Sequence, residues 1–257
     1  MLARPSGIAA VTLKTEAELE LMAQSGEIVR EVLTLLREMV APGVSTKELD
    51  KAAETHIRSR GGEPAFLGFR GYPASICASI NHEVVHGIPQ PDKKIKATDI
   101  ISLDVGVRKN GYYGDAAITV AAAEASGQAT ELIKVTEDVL KQAIEQVQPG
   151  NRIGDISHVI QQYVEARGFS VVRDFVGHGI GSQMHEPPQI PNFGPPGRGV
   201  RLKVGMVLAI EPMVNVGGYD VRTLADNWTV VTCDGSLSAH FEHCVAVTKD
   251  GPRVLTR

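Results

Sequence analysis

The chain repeats itself at an interval of 107 residues, and a duplicated half constrains the fold more than any single motif does. Val40-Ala-Pro-Gly-Val through Leu49, Ile57 and Arg60-Gly61 lies without a gap over Val147-Gln-Pro-Gly-Asn through Ile156, Val164 and Arg167-Gly168. In both copies Pro-Gly closes one helix, apolar residues at helical spacing follow, and Gly stands where a helix end takes a left-handed residue. The same interval sets Val32, Leu33, Leu36 and Val40 over Val139, Leu140, Ala143 and Val147, so the preceding helices also correspond. Thr15 with Glu18, and Ser45 with Glu48, have the form of capping boxes at two helix starts. Downstream, Lys96–Asp104 lies over Lys203–Glu211, and each is a short apolar, β-rich run ending in a carboxylate. The repeat predicts two similar halves, about 15–120 and 126–250, each with two helices followed by strands. The helices are expected to cover an antiparallel or mixed sheet in an α+β architecture.

Charge and apolar content remove several classes of partner. Twenty-six Lys and Arg against 30 Asp and Glu leave a formal charge of -4, which offers no field for a nucleic-acid backbone. Lys93, Lys94 and Lys96 read as a solvated turn. The most apolar run, Ala116 to Ala123, is far short of the roughly 18 residues of a membrane span, so no membrane partner is expected. Met1 to Lys14 holds one Arg and one Lys and lacks the apolar region of a secretory signal. It is expected to be a flexible lead-in, with 15–257 forming a single catalytic domain. Cys77, Cys233 and Cys244 are odd in number and lack metal-finger spacing, which predicts a reducing, cytoplasmic compartment.

The strand ends carry the chemistry. An acidic residue directly after buried strand residues is costly unless something pairs with it, and Asp104 and Glu211 stand in that place in both halves. Between Asp104 and Asp115, Asn110-Gly111 is a two-residue hairpin signal. Counting from that turn, Lys109 faces Tyr112, Val107 faces Gly114 and Gly106 faces Asp115. Asp104 and Asp115 then share a face as diagonal neighbours, about 7–8 Å apart at Cα. Gly106 is expected to leave room between them, and a divalent cation is the simplest agent to hold two like charges so placed. In the second half, glycines on both sides of His178 are expected to give access to its imidazole. A second hairpin, turning at Asp234-Gly235, is expected to return through Glu242 among apolar neighbours. Asp104, Asp115, His178, Glu211 and Glu242 together make an oxygen-rich set suited to manganese, iron(II), cobalt or zinc, and bridging carboxylates can hold two ions. A single histidine and no cysteine argue against a structural zinc.

With these residues in order, the sequence resembles the type I methionine aminopeptidases of bacterial type. The resemblance runs from about Thr15 to Thr256. It is carried by Asn81-His-Glu-Val-Val-His86-Gly-Ile-Pro, Asp104, Asp115, Gly177-His178-Gly-Ile-Gly, His185-Glu-Pro-Pro, Ala209-Ile-Glu211-Pro-Met and His240-Phe-Glu242-His. It implies the duplicated pita-bread fold, with a curved antiparallel-rich sheet under helices. It also implies two divalent ions held by Asp104, Asp115, His178, Glu211 and Glu242, with Asp115 and Glu242 bridging. The implied reaction is removal of the initiator methionine from nascent proteins whose second residue is small and uncharged, by attack of a bridging hydroxide on the peptide carbonyl. Glu211 is then the proton acceptor, His185 steadies the oxyanion and His86 orients the peptide or assists the leaving amine.

The resemblance further implies a methionine pocket of Phe66, Phe69, Tyr72, Cys77, Met184 and Trp228. It implies a monomer whose partners are nascent polypeptide N-termini, with transient ribosome contact. Phe66 and Phe69 depart from the cysteine or tyrosine of some relatives, and Val85 from a frequent cysteine, which bears on pocket shape. Two other readings stay open. An X-Pro peptidase of the same fold carries a further N-terminal domain, for which residues 1–14 are expected to leave no room. A non-catalytic binding protein would be expected to lose ligands, and all five are present. The large helical insertion of type II enzymes is absent between Gly181 and Glu211.

Overall fold

The computed structural model describes residues 11–257. Helix α1 (Glu16–Met39) and helix α2 (Thr46–Ser59) lead into β1 (Glu63–Pro64), β2 (Cys77–Ile80), β3 (Glu83–Val85) and the hairpin of β4 (Ile100–Lys109) and β5 (Tyr112–Ala121). Helix α3 (Gly127–Glu145) and helix α4 (Ile153–Glu165) open the second half, followed by β6 (Ser170–Val171), β7 (Gly177–Gly179), β8 (Glu186–Ile190), β9 (Val207–Ile210) and β10 (Met213–Asn215). The chain ends with β11 (Val221–Thr223), β12 (Val230–Thr232), β13 (Ser238–His240), β14 (Glu242–Thr248) and β15 (Gly251–Val254). The duplication is visible in the elements themselves. α2 begins at 46 and α4 at 153, β4 at 100 and β9 at 207, the same interval of 107 in both cases. Both capping boxes form, with Thr15 and Ser45 each accepting the backbone N–H three residues on and each receiving the glutamate in return.

All strand pairings among the described residues are antiparallel, and the main sheet runs β1 and β2 on β4, then β5, β14, β9, β7 and β8, with β15 on β14. β5 and β14 meet in the middle, where Ala117 pairs with Glu242 and Ala116 with His243, so the two halves share one sheet. Leu103, Val105 and Val107 of β4 and Ala116 and Ile118 of β5 join the apolar faces of the helices in the principal core. Because side chains alternate along a strand, Asp104, Asp115 and Ala117 are sent to the opposite face. β4 is buried on both faces for eight of its ten residues, which is why it reads as a nearly continuous apolar run.

Two expectations are corrected here. Asp234-Gly235 forms a turn, but not a hairpin. β12 pairs with β11 and β3, β13 pairs with β10, and the turn links two separate three-stranded sheets. The alternating pattern was right for strands and silent on which partner each would find. The lead-in divides as well. Residues 1–10 lie outside the described residues, whereas residues 11–14 are docked: Val11 packs on the principal core and the Lys14 N–H donates to the Gly205 carbonyl at 2.7 Å.

Helix α1 is held against β5 by direct backbone contact. A Cβ on Gly114 would stand 2.8 Å from the Gly26 nitrogen, and one on Gly26 would stand 2.0 Å from the Leu255 oxygen. Since Gly114 precedes Asp115, this contact fixes the strand where the site begins. Gly114→Ala is expected to lower the free energy of unfolding by about 1–3 kcal/mol. Gly127→Ala, at a helix start with nothing within 4 Å, should leave stability unchanged or slightly raised. Urea denaturation of the two variants checks this, and an unaffected Gly114→Ala protein contradicts the contact.

Candidate metal centre

Five strands or strand ends bring the five expected ligands to one place. The hairpin register is the one counted from Asn110-Gly111: Lys109 pairs with Tyr112, Val107 with Gly114 and Gly106 with Asp115. Asp104 pairs with Ala117 and Ala117 with Glu242, so one row across three strands places a carboxylate on either side of an alanine. His178 pairs with Ala209, two residues before Glu211, which follows directly on β9. The His178 Nε2 lies 3.7 Å from Glu211 Oε1 and 4.0 Å from Asp115 Oδ2. One donor atom each of Asp115, His178 and Glu242 falls within 4.8 Å of the others.

The electrostatics of this cluster are unfavourable as it stands. Asp104, Asp115 and Glu242 are buried and Glu211 is partly so. Among the described residues, the only basic side chains within ion-pairing distance of these four carboxylates are His178 and His240, and no Lys or Arg reaches them. Burial pushes the Asp104 carboxyl up to about 7, against hydrogen bonds from Asp115 and Cys77 that pull it down. Burial and then the charge of Asp104 raise Asp115 and Glu211, and Glu242 is raised by burial and by Asp115. Burial also holds His178 down to about 4, so its imidazole is neutral near pH 7. The His178 Nδ1 engages the Gly179 carbonyl at 2.9 Å, which puts the ring proton there and turns the Nε2 lone pair toward the acids. Asp104 Oδ1, Asp115 Oδ1 and Glu242 Oε1 are buried with no hydrogen-bond partner. A lone pair facing carboxylate oxygens, with unsatisfied oxygens beside it, is the donor set of a divalent cation site. These residues fit the metal that the sequence led one to expect.

A cleft of about 400 Å³ opens beside the acids. All six expected pocket residues, Phe66, Phe69, Tyr72, Cys77, Met184 and Trp228, line it together with His86 and His185. Cys77 pairs with Asp104 across β2 and β4, which joins the apolar end of the cleft to the acidic end. Tyr72 and Trp228 meet edge to face with centroids 5.0 Å apart, and His86 stands edge-on to Trp228 at 6.2 Å and to Phe175 at 5.7 Å. The His185 ring lies 5.3 Å from that of Phe69 and 4.2 Å from that of His178, tilted to both. Burial lowers the pKa of His86 to about 4 and, followed by the nearby Arg70 charge, lowers that of His185. Val85 faces elsewhere, in a small core with Val84, Val172, Met213 and Val230.

Two local expectations give way to other causes. The space over Gly106 belongs to an aromatic ring, since a Cβ there would stand 2.6 Å from Phe66 Cε1. The glycines beside His178 point to the other face of β7, where a Cβ on Gly177 or Gly179 would stand 2.4 Å from the Ala209 oxygen or 2.2 Å from the Pro187 oxygen. They admit neighbouring backbone; access to the imidazole is not their work. His240, within the His240-Phe-Glu242-His motif, also joins the site, a role that its sequence position alone does not assign. It is buried, its Nε2 is 3.7 Å from Glu211 Oε2 without a hydrogen bond, and burial drives its pKa to about 3. Its backbone is clamped by Thr119, whose hydroxyl accepts the His240 N–H and donates to the His240 carbonyl, both at 2.9 Å. The signal lay in its place two residues before Glu242. Phe175, Arg70, Asp174, Val176 and Gln189 line the cleft as well.

A model of metallopeptidase family M24 matches residues 20–249. A methionine aminopeptidase of Clostridium perfringens is 54% identical over 246 residues, covering 96% of this chain and 98% of that protein. The crystal structure of a methionine aminopeptidase from Thermotoga maritima is 45% identical with a TM-score of 0.95, covering 96% of this chain and all of that one. A prolidase from Pyrococcus furiosus shares the fold at 22% identity and a TM-score of 0.78, over 95% of this chain and 65% of that one. The duplicated pita-bread architecture expected from the sequence is therefore the observed one.

The raised carboxyl pKa values fix the sign of a pH effect. The folded state keeps protons that the unfolded chain has released, so this contribution is full below about pH 4 and is lost as the pH climbs through about 7 and beyond. The buried histidines work in the opposite direction, but only below their ordinary value of 6.5. Chelator-treated protein is expected to lose stability from about pH 6.5 to about pH 8, and Asp115→Asn to flatten that loss. Thermal unfolding in the presence of chelator across this window measures it, and parallel profiles for the two proteins would contradict it.

Proposed function

The chain belongs to metallopeptidase family M24 and, within it, to the methionine aminopeptidases, and from that premise we propose that it removes the N-terminal methionine of polypeptides whose second residue is small and uncharged. The observation that carries this reading is the continuity of one cleft: four acids that no lysine or arginine reaches among the described residues and a neutral imidazole at one end, and a cup of aromatic and sulfur side chains at the other. An exopeptidase that takes one apolar residue needs both within a single residue's length.

In this reading Asp104, Asp115, His178, Glu211 and Glu242 would hold two divalent ions, manganese, iron(II), cobalt or zinc. Such ions supply a Lewis acid for the scissile carbonyl, a water of lowered pKa and a seat for the free amine. Glu211 turns one oxygen toward His178 and the other toward His240, and its burial-raised basicity suits it to take a proton from the attacking water and pass it to the departing amine. His185, kept neutral by burial and set against the rings of His178 and Phe69, is placed to donate an N–H to the developing oxyanion. His86, with its backbone in the left-handed region at φ 59° and its ring against Trp228 and Phe175, is placed to orient the peptide. The methionine side chain enters among Tyr72, Cys77 and Trp228, where a polarizable thioether gains from aromatic neighbours.

The setting follows from the surface and the thiols. Cys77, Cys233 and Cys244 are all free, which suits a reducing compartment, and we assign the activity to nascent chains in the cytoplasm, with transient ribosome contact. No helix among the described residues is long and apolar enough to cross a membrane. Large exposed apolar side chains are few among the described residues, Leu13, Leu67, Val204 and Tyr219, and we assign a monomer.

Methionine release from Met-Ala peptides with manganese, cobalt or iron(II) supplied tests the proposal. Glu211→Gln is expected to lower kcat by at least about 100-fold, and Ala-Pro peptides should be poor substrates. Wild-type turnover in Glu211→Gln, or faster hydrolysis of Ala-Pro than of Met-Ala, would overturn it.

A further inference from the structure

The segment expected to be a flexible lead-in is fastened to the loop that carries His185. The Lys14 Nζ pairs with Glu186 Oε2 at 2.6 Å, and both side chains are only 6% exposed. The Thr12 hydroxyl donates to the same carboxylate oxygen and accepts from the Lys14 Nζ at 2.6 Å. The other oxygen, Oε1, accepts the Gln183 N–H at 3.1 Å, so Glu186 ties the segment to its own loop. Gly181 makes the space, because a Cβ there would stand 2.3 Å from Lys14 Cε. The same residue is anchored from the far side, its carbonyl accepting the Tyr113 N–H at 2.9 Å. Glu186 directly follows His185, whose ring lies against those of Phe69, at 5.3 Å, and His178, at 4.2 Å. A buried ion pair is a poor source of net stability, and fixing a geometry is the best-attested use of one.

We propose that Lys14, Thr12 and Glu186 form a positioning device for His185: the strap at residues 11–14 holds the β7–β8 loop so that the imidazole meets the substrate at the angle the reaction needs. The inference rests on the reading of His185 as a group that acts on the peptide. Lys14 and Thr12 touch no substrate; they act through Glu186. An imidazole displaced by a fraction of an ångström still fills its space but loses part of its effect on the transition state, so the loss belongs in kcat.

Steady-state kinetics on a Met-Ala peptide, with Lys14→Met made in the wild-type and in the His185→Ala protein, tests the coupling well below both unfolding midpoints. The expected result is a fall in kcat of about tenfold with KM within about twofold in the wild-type background, and no further fall in the His185→Ala background. Lys14→Arg should recover most of the loss, since it restores the ion pair. Should Lys14→Met fold poorly, Thr12→Val removes only one hydroxyl and is expected to lower kcat about threefold in the first background and not in the second. An equal fall in both backgrounds, or none in either, overturns the device while leaving the proposed reaction intact. A His185→Ala protein with wild-type kcat would instead overturn the role of His185 itself, and this inference with it.

Discussion

Four carboxylates gathered on one face of a sheet, with no lysine or arginine in reach among the described residues, set the terms for this molecule. Burying ionised groups without partners is prohibitively costly, so such a cluster persists only by holding protons or by surrounding a cation. The raised pKa values of Asp104, Asp115, Glu211 and Glu242 express the first solution, and the orphaned oxygens and the lone pair of His178 are the geometry of the second. Much else serves to keep these groups together. The helices bury the opposite face of β4 and β5, close glycine contacts lock α1 to the strand before Asp115, and Thr119 clamps the backbone before Glu242.

Duplication explains how one chain assembles such a site. Asp104 and Glu211 arise from the same position of a repeated strand, and joining β5 to β14 brings the two copies into one sheet. The two halves then diverge in what they add. The first supplies most of the apolar cup through Phe66, Phe69, Tyr72 and Cys77, and the second supplies His178 and His185. A site built across a pseudo-symmetric seam has two similar acidic sides and one asymmetric cleft, which suits a substrate with a charged end and a single side chain to be read.

Much of this was legible in the sequence, for definite physical reasons. The Asn110-Gly111 turn has little conformational choice, so the register of ten residue pairs could be counted from it. The repeat predicts matching helix and strand starts, and the capping boxes mark two of the helix starts because they are local chemistry. Long-range partners were harder. Asp234-Gly235 looks like a hairpin turn, but strand pairing depends on competing partners that local sequence does not name. Glycine was ambiguous in the same way: the absence of a side chain at Gly106, Gly177 and Gly179 was evident, and which group enters the space was not. His240 went without a role because a lone histidine is usually structural, and only the fold brings it to Glu211. The docking of Lys14 onto Glu186, 172 residues away, left no local trace at all.

On binding metal, the acidic cluster is expected to give up the protons that its burial makes it hold. Calorimetric titration of chelator-treated protein with manganese(II) at pH 7, repeated in buffers of different ionisation enthalpy, measures that exchange directly. The account predicts tight binding with release of about one or more protons per ion, because the carboxyls that receive the metal are protonated beforehand. Binding without proton release, or no binding, would contradict it.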